Sequence, residues 1–258
     1  MLGFICALGI EVEGIVNRME NKESTTIAKI TYYKGEICGK EVVCCECGVG
    51  KVNAAMSTQI MIDTYHPDVI VNSGIAGSLS GDIRIGDIVI SDDCVQHDMD
   101  GTEAGDPLGQ VQFNDELRTY FPADEATADK LAAACKTIDG INVFRGRIAS
   151  GDVFITARER RRRIADHFGA LACEMEGAAV AVVCYRNGVP FAILRSISDD
   201  FNDNEFMDFM QFREEAAKRS VKAIERFIKT AERWNDITPR TNCTRRYKKR
   251  FMKEEFHE

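Results

Sequence analysis

Six carboxylates stand at the ends of apolar runs or inside them, a placement that suits acid–base chemistry on a small polar molecule. Glu11 follows the run LGFICAL (2–8), Asp152 follows RGRIAS in SGDVFIT, and Asp199 and Asp200 follow AILRSIS. Glu174 and Glu176 lie within LACEMEGAAVA. Taken singly, such a residue reads equally as a helix cap or a solvated surface charge. The EMEG pair resists that reading, because an unpaired charge buried among apolar residues is very costly. Arg195, in an apolar run of its own, is the candidate partner. A carboxylate enclosed with few counter-charges has its pKa raised, which makes it a usable general acid.

The elements that must position these groups alternate in type. Short, nearly continuous apolar runs at 2–8, 41–48 and 68–74 suit strands buried on both faces, as do the strand-like runs 84–91, 141–150 and 189–198. Val52, Ala55, Met56 and Ile60 have helical spacing and predict a crossover helix after the second run. Further helices are expected at 124–137, 158–168, 176–187 and 206–234. In the last, Phe206, Met210, Ala217, Val221, Ile224 and Ile228 keep one face apolar. The alternation argues for an α/β layered domain with a mainly parallel or mixed sheet. Ligands of such folds gather at the carboxyl ends of the strands, where the carboxylates stand. Residues 95–115 are polar and glycine-rich and read as a long loop.

Two glycine-rich segments invite a phosphate-loop reading. CGVGKVNAA fails the dinucleotide fingerprint because Asn53 stands at the third glycine position. It fails the P-loop pattern because Cys45 and Val52 replace the required glycine and hydroxyl residue. It reads as a strand-to-helix turn that lets backbone approach a ligand. NSGIAGSLSG (72–81) reads as a second glycine loop whose N–H groups can hold an anion or a ribose hydroxyl.

The 258 residues are 45% hydrophobic and 29% charged, an ordinary globular balance. Lys and Arg number 33 against 41 Asp and Glu, a net charge of −8, which argues against a nucleic-acid coat. No apolar run reaches the ~18–20 residues of a membrane span. The start, MLGFICALGIEVEG, lacks the basic segment of a secretory signal, so a cytoplasmic location is expected. The ten cysteines include Cys44, Cys45 and Cys47 in a β-prone run, with no second CxxC pair to complete a zinc site. They read as small buried hydrophobes in a reducing compartment. Residues 235–258 form a basic extension of net charge +3, whose run RRYKKR (245–250) is followed by Glu254, Glu255 and Glu258. It reads as a solvated terminal segment rather than a nucleic-acid site.

FICALGIEVEG, CGVGKVNAA, PDVIVNSGIAGSL, IGDIVISD, QHDMD, IASGDVFI, CEMEGAAVA and FAILRSISDD occur in one order over about residues 1–230. Together they resemble the nucleoside phosphorylase superfamily, and within it the bacterial 5′-methylthioadenosine/S-adenosylhomocysteine nucleosidases. The resemblance implies a single α/β domain over 1–234, with a mixed, partly barrel-like central sheet flanked by helices. It implies a homodimer without cofactor or metal. The reaction implied is hydrolysis of the adenine N9–ribose C1′ bond, in methionine salvage and removal of methyl-cycle by-products. By the same resemblance Glu11 activates water and Asp199 protonates adenine N7, with Ser198 orienting it. Phe154 stacks on the base and the backbone at Ile155 reads its edge. Met175 and Glu176 embrace the ribose, Arg195 and Leu8 lie beside it, and Val49 and Phe206 wall the 5′-thio group. The glycine segment Ile75, Ala76 and Gly77 borders ribose and water. His97 and Asp98 are expected to be hydrogen-bonding loop residues near the pocket or dimer interface.

Ile75 stands where relatives often carry a hydroxyl residue, and no Arg lies in GIAGSLSG. Burying phosphate there would leave its charge unsatisfied, so water is the expected acceptor. The alternatives are a purine nucleoside phosphorylase, with Arg84 reaching the anion, a futalosine-type hydrolase, and a catalytically silent nucleoside-binding protein.

Overall fold

The computed structural model describes residues 1–199, 201 and 205–230, with the side chains of the last helix described from residue 211. The expected extension 235–258 therefore lies outside the described residues, as do Asp200 and the side chains of Phe206 and Met210. The strands are β1 (Leu2–Cys6), β2 (Glu20–Ile27), β3 (Ile30–Ile37), β4 (Lys40–Glu46), β5 (Val69–Ser78), β6 (Ile88–Gln96), β7 (Val111–Gln112), β8 (Leu117–Arg118), β9 (Phe121–Pro122), β10 (Val143–Ser150), β11 (Ala170–Glu174) and β12 (Phe191–Asp199). The helices are α1 (Gly9–Val16), α2 (Lys51–Tyr65), α3 (Glu125–Cys135), α4 (Arg158–Phe168), α5 (Gly177–Asn187) and α6 (Glu205–Thr230).

One mixed sheet runs in the order β11-β10-β6-β12-β5-β1-β4-β3-β2. β1 pairs in parallel with both β4 and β5, and all five of its residues are buried. β11 also pairs antiparallel with β5, through Ala172↔Ser78 and Cys173↔Gly77. That contact curls β5, β12, β6, β10 and β11 back on themselves, so part of the sheet is a closed barrel and the β4-β3-β2 wing stays open. The expected α/β fold with a partly barrel-like sheet is the one observed.

Successive side chains of a strand point to opposite faces, and each face has its own apolar core. Phe4, Cys44, Val71 and Leu194 pack with α1, α3 and α6. Ile5, Cys45, Ile70 and Ile193 pack with α2 and α5. Eight of the nine described cysteines are buried and all nine are free thiols; Cys38 is exposed.

Several expectations need correction. NSGIAGS is not a loop: β5 runs through Ser78, paired with β12 as far as Gly77. Small residues there leave room for large side chains from other elements. The strand expected at 84–91 begins at Ile88 and continues to Gln96, into the supposed loop. Helix α1, the hairpin β2–β3 and strand β11 add to the elements that the sequence pattern predicts.

Candidate active site

A cavity of about 420 Å³ opens where β1, β5, β10, β11 and β12 end. Every residue expected at the site lines it except Phe206, whose side chain is outside the described set: Glu11, Asp199, Phe154, Ile155, Met175, Glu176, Arg195, Ser198, Leu8, Val49, Ile75, Ala76 and Gly77. Arg161 and Glu174 line it as well. The sequence marks Glu174 as a buried acid in need of a partner and gives no sign of Arg161.

At one end three carboxylates surround one guanidinium. Arg195, 1% exposed on β12, donates from Nε to Glu174 Oε2 at 3.1 Å, and its Nη2 forms an ion pair with the same oxygen. Its Nη2 also reaches Asn72 Oδ1 at 2.5 Å and stands 3.9 Å from Glu176 Oε2. Glu174 ends β11 at the start of α5, where the N–H groups of Glu176 and Gly177 donate to its carboxylate. A helix N-terminus favours such an anion. The partnership expected between the EMEG carboxylates and Arg195 is therefore present, with Glu174 as the direct partner. Glu176 Oε1 accepts the N–H of Gly50 at 2.9 Å. Gly50 has φ +101°, which only glycine adopts without strain, so the CGVGK turn delivers a donor to the cavity wall.

Glu11, 1% exposed in the first turn of α1, accepts the Leu8 N–H at 3.1 Å through Oε2. Its Oε1 is buried with no hydrogen-bond partner among the described residues. A Cβ on Gly74 would stand 3.3 Å from that oxygen and 3.0 Å from Arg195 Nη1, so the close approach depends on a glycine in β5. Burial raises the Glu11 carboxyl to about 7, against the lowering effects of Leu8 and Arg195. Burial, and then the neighbouring Glu174, raise Glu176 to about 7. Burial alone would lower the pKa of Arg195, but the Glu174 and Glu176 carboxylates outweigh it and hold it above its ordinary value. The centre thus holds one permanent cation and two carboxyls that exchange protons near neutrality.

At the other end Asp199, 2% exposed, closes β12. Ser198 Oγ donates to its Oδ1 at 2.6 Å, and Arg161 forms an ion pair with its Oδ2. Phe154, 44% exposed, stands at the rim, with Ile155 buried beside it. Ile75 lines the wall between the two ends and brings no polar side chain.

Other candidates lie elsewhere. Asp152 is exposed and accepts the backbone N–H of Lys51 at 2.7 Å, so it caps the start of α2. Asp98 receives Lys51 Nζ at 2.7 Å and the N–H of Asp152 at 2.8 Å, the loop-bracing role expected of it. His97, expected to share that role, is instead buried with its Nε2 lacking a hydrogen-bond partner among the described residues. Arg84 is exposed and does not line the cavity. Among the described residues no cluster of three or more His, Cys, Asp or Glu side chains is placed to hold a metal ion.

Residues 1–229 match the family model described as the phosphorylase superfamily. A 5′-methylthioadenosine/S-adenosylhomocysteine nucleosidase of Shewanella sediminis is 39% identical over 224 residues, covering 86% of this chain and 96% of the relative. The crystal structure of the nucleosidase of that name from Neisseria meningitidis, in complex with methylthio-immucillin-A, superposes with a TM-score of 0.84 at 34% identity. The match covers 89% of this chain and 98% of that one. A structure of futalosine hydrolase from Helicobacter pylori matches with a TM-score of 0.82 at 32% identity, over 88% of this chain and 97% of that one.

Proposed function

The chain belongs to the phosphorylase superfamily, and on that premise we propose that it hydrolyses the N-glycosidic bond of 5′-methylthioadenosine and S-adenosylhomocysteine. The products are adenine with methylthioribose or S-ribosylhomocysteine. The observation that carries this reading is the charge of the cavity. Among the described residues its two guanidiniums, Arg161 and Arg195, are engaged by carboxylates, and Glu11, Glu174 and Glu176 crowd the end where an acceptor would enter. A phosphate dianion would meet three acids and the apolar Ile75, whereas water meets the open oxygen of Glu11. Adenine release from 5′-methylthioadenosine is expected in phosphate-free buffer, with methylthioribose as co-product. Release only with phosphate, giving a ribose 1-phosphate, would instead make the protein a phosphorylase.

In this reading the C1′–N9 electron pair leaves with adenine, and Asp199, having taken up a proton from solvent, delivers it to N7 so that the base departs neutral. Positive charge develops on the ribosyl carbon. Glu176, bonded to the ribose hydroxyls, places negative charge beside it. Water adds to C1′ and Glu11 takes its proton. Phe154 covers the purine face, Met175 and Leu8 contact the sugar, and Val49 contributes to the wall for the 5′-thio substituent. Phe206 is assigned to that wall by resemblance alone.

The apolar rim supports a homodimer. Val49 is 50% exposed, and Val52 and Met56 continue an exposed apolar stripe along α2 at 77% and 40%. A second copy covering this stripe would dry the outer end of the cavity. Sedimentation equilibrium should give twice the chain mass, and a monomer at micromolar concentration would remove this assignment. No helix among the described residues is long and apolar enough to cross a membrane. The free thiols support placing the protein in the cytoplasm.

A further inference from the structure

We propose that Arg161 is the positioning residue of the purine end, fixing the carboxylate of Asp199 and the carbonyl of Ile155 relative to one another through one guanidinium. The inference rests on the nucleosidase reading and names a residue that reading does not use. Arg161 lies in RERRRR (158–163), whose other five residues are exposed, yet it is itself 1% exposed. Burying a guanidinium is costly unless its donors are matched. Among the described residues the donors bind three separate segments. Nε and Nη2 donate to the Ile155 carbonyl at 3.1 and 3.0 Å, Nη1 donates to the Ser78 carbonyl at 3.3 Å, and Nη2 pairs with Asp199 Oδ2.

Those segments are the turn after β10, the end of β5 and the end of β12. One guanidinium thus ties the acid to the backbone expected to read the base. The backbone also makes room for the pair. A Cβ on Gly77 would stand 2.7 Å from Asp199 Oδ2 and 2.8 Å from Arg161 Nη2. Arginine carries donors only and keeps its proton, so it acts through Asp199 and is not itself the acid. Its planar fork holds two acceptors at a set angle, which a lysine reproduces only in part. The cavity thus has one buried arginine at each end: Arg195 orders the sugar-binding carboxylates, and Arg161 orders the base-binding groups.

The test compares two leaving groups. Arg161→Met is assayed on 5′-methylthioadenosine and on the 5-methylthioribosyl compound carrying 4-nitrophenolate in place of adenine, which departs without a proton. Misplacement of the acid should lower kcat on 5′-methylthioadenosine by about 10²-fold. KM should change far less, and the nitrophenyl substrate should lose much less. Arg161→Lys should recover about a tenth of the wild-type rate or more, as partial restoration of a supporting contact does. Gly77→Ala, which crowds the pair without removing a charge, should show the same leaving-group selectivity and stands in if Arg161→Met does not fold. Wild-type kcat in Arg161→Met, or equal losses on both substrates in Arg161→Met and Gly77→Ala, would overturn the proposal. A wild-type enzyme that releases no adenine would instead remove the nucleosidase reading, and this assignment with it.

Discussion

Asp199→Asn should lower turnover of 5′-methylthioadenosine by about 10²–10⁴-fold while nucleoside binding survives. Adenine is a poor leaving group as an anion, and an amide cannot give up a proton to N7 as a carboxylic acid does. The substitution preserves shape and keeps an oxygen for the Ser198 hydroxyl, which lies 2.6 Å from the carboxylate. It also removes the ionic partner of Arg161, so some stability should go with the rate. Binding of a non-hydrolysable analogue by calorimetry separates the two effects. An asparagine variant turning over at the wild-type rate would exclude Asp199 as the acid and move the proton to another group.

Glu11→Gln should be nearly as damaging, by about 10²–10⁴-fold, because the group that accepts the water's proton is lost while its hydrogen bond to Leu8 can be kept by the amide oxygen. The wild-type pH profile carries the same signature. Glu11 takes a proton from water only when ionised, and burial raises its carboxyl to about 7. The kcat/KM of the wild type should therefore fall as pH drops through about 7, with Glu176, also raised to about 7, steepening the limb. Stability moves the opposite way. A carboxyl whose folded pKa lies above its unfolded value of 4.5 binds its proton more tightly when folded. That contribution is complete below about pH 4.5 and is lost as pH rises through about 7, on the order of 3 kcal/mol per carboxyl. Melting temperature of the free enzyme should decline between pH 5 and 8, and Glu11→Gln, lacking one of the two groups, should decline less. A flat rate profile across pH 5–8 would contradict the role assigned to Glu11.

The wall residue Ile75 was legible as a departure from the family pattern, and the structure places it in the cavity. Glu174 was legible as an acid in need of a partner, because its apolar surroundings announced the problem that Arg195 solves. Arg161 was not legible. In a run of four arginines only the rotation of α4 decides which one turns inward. Helix α1 has eight residues and its N-cap is Leu8, whose side chain cannot cap it, so it left little signal. Strand β2, ENKESTTI, is exposed along nearly its whole length and lacks the alternation that marks a half-buried strand.

Taken alone, the sequence determined the α/β alternation, the buried strands and the carboxylates at their ends, because periodicity and burial are local properties of a chain. It also carried, through eight ordered motifs, the resemblance that pointed to the superfamily. Only the tertiary structure decided which charges meet. Asp199 and Arg161 are 38 residues apart in the chain, and Arg195 and Glu174 are 21 apart on two different strands. Their pairing exists because β11 closes onto β5 and draws the strand ends around one cavity. No local pattern encodes that closure. It follows from burying both faces of the sheet at once, and the buried charges are then stable only in the arrangement that pairs them.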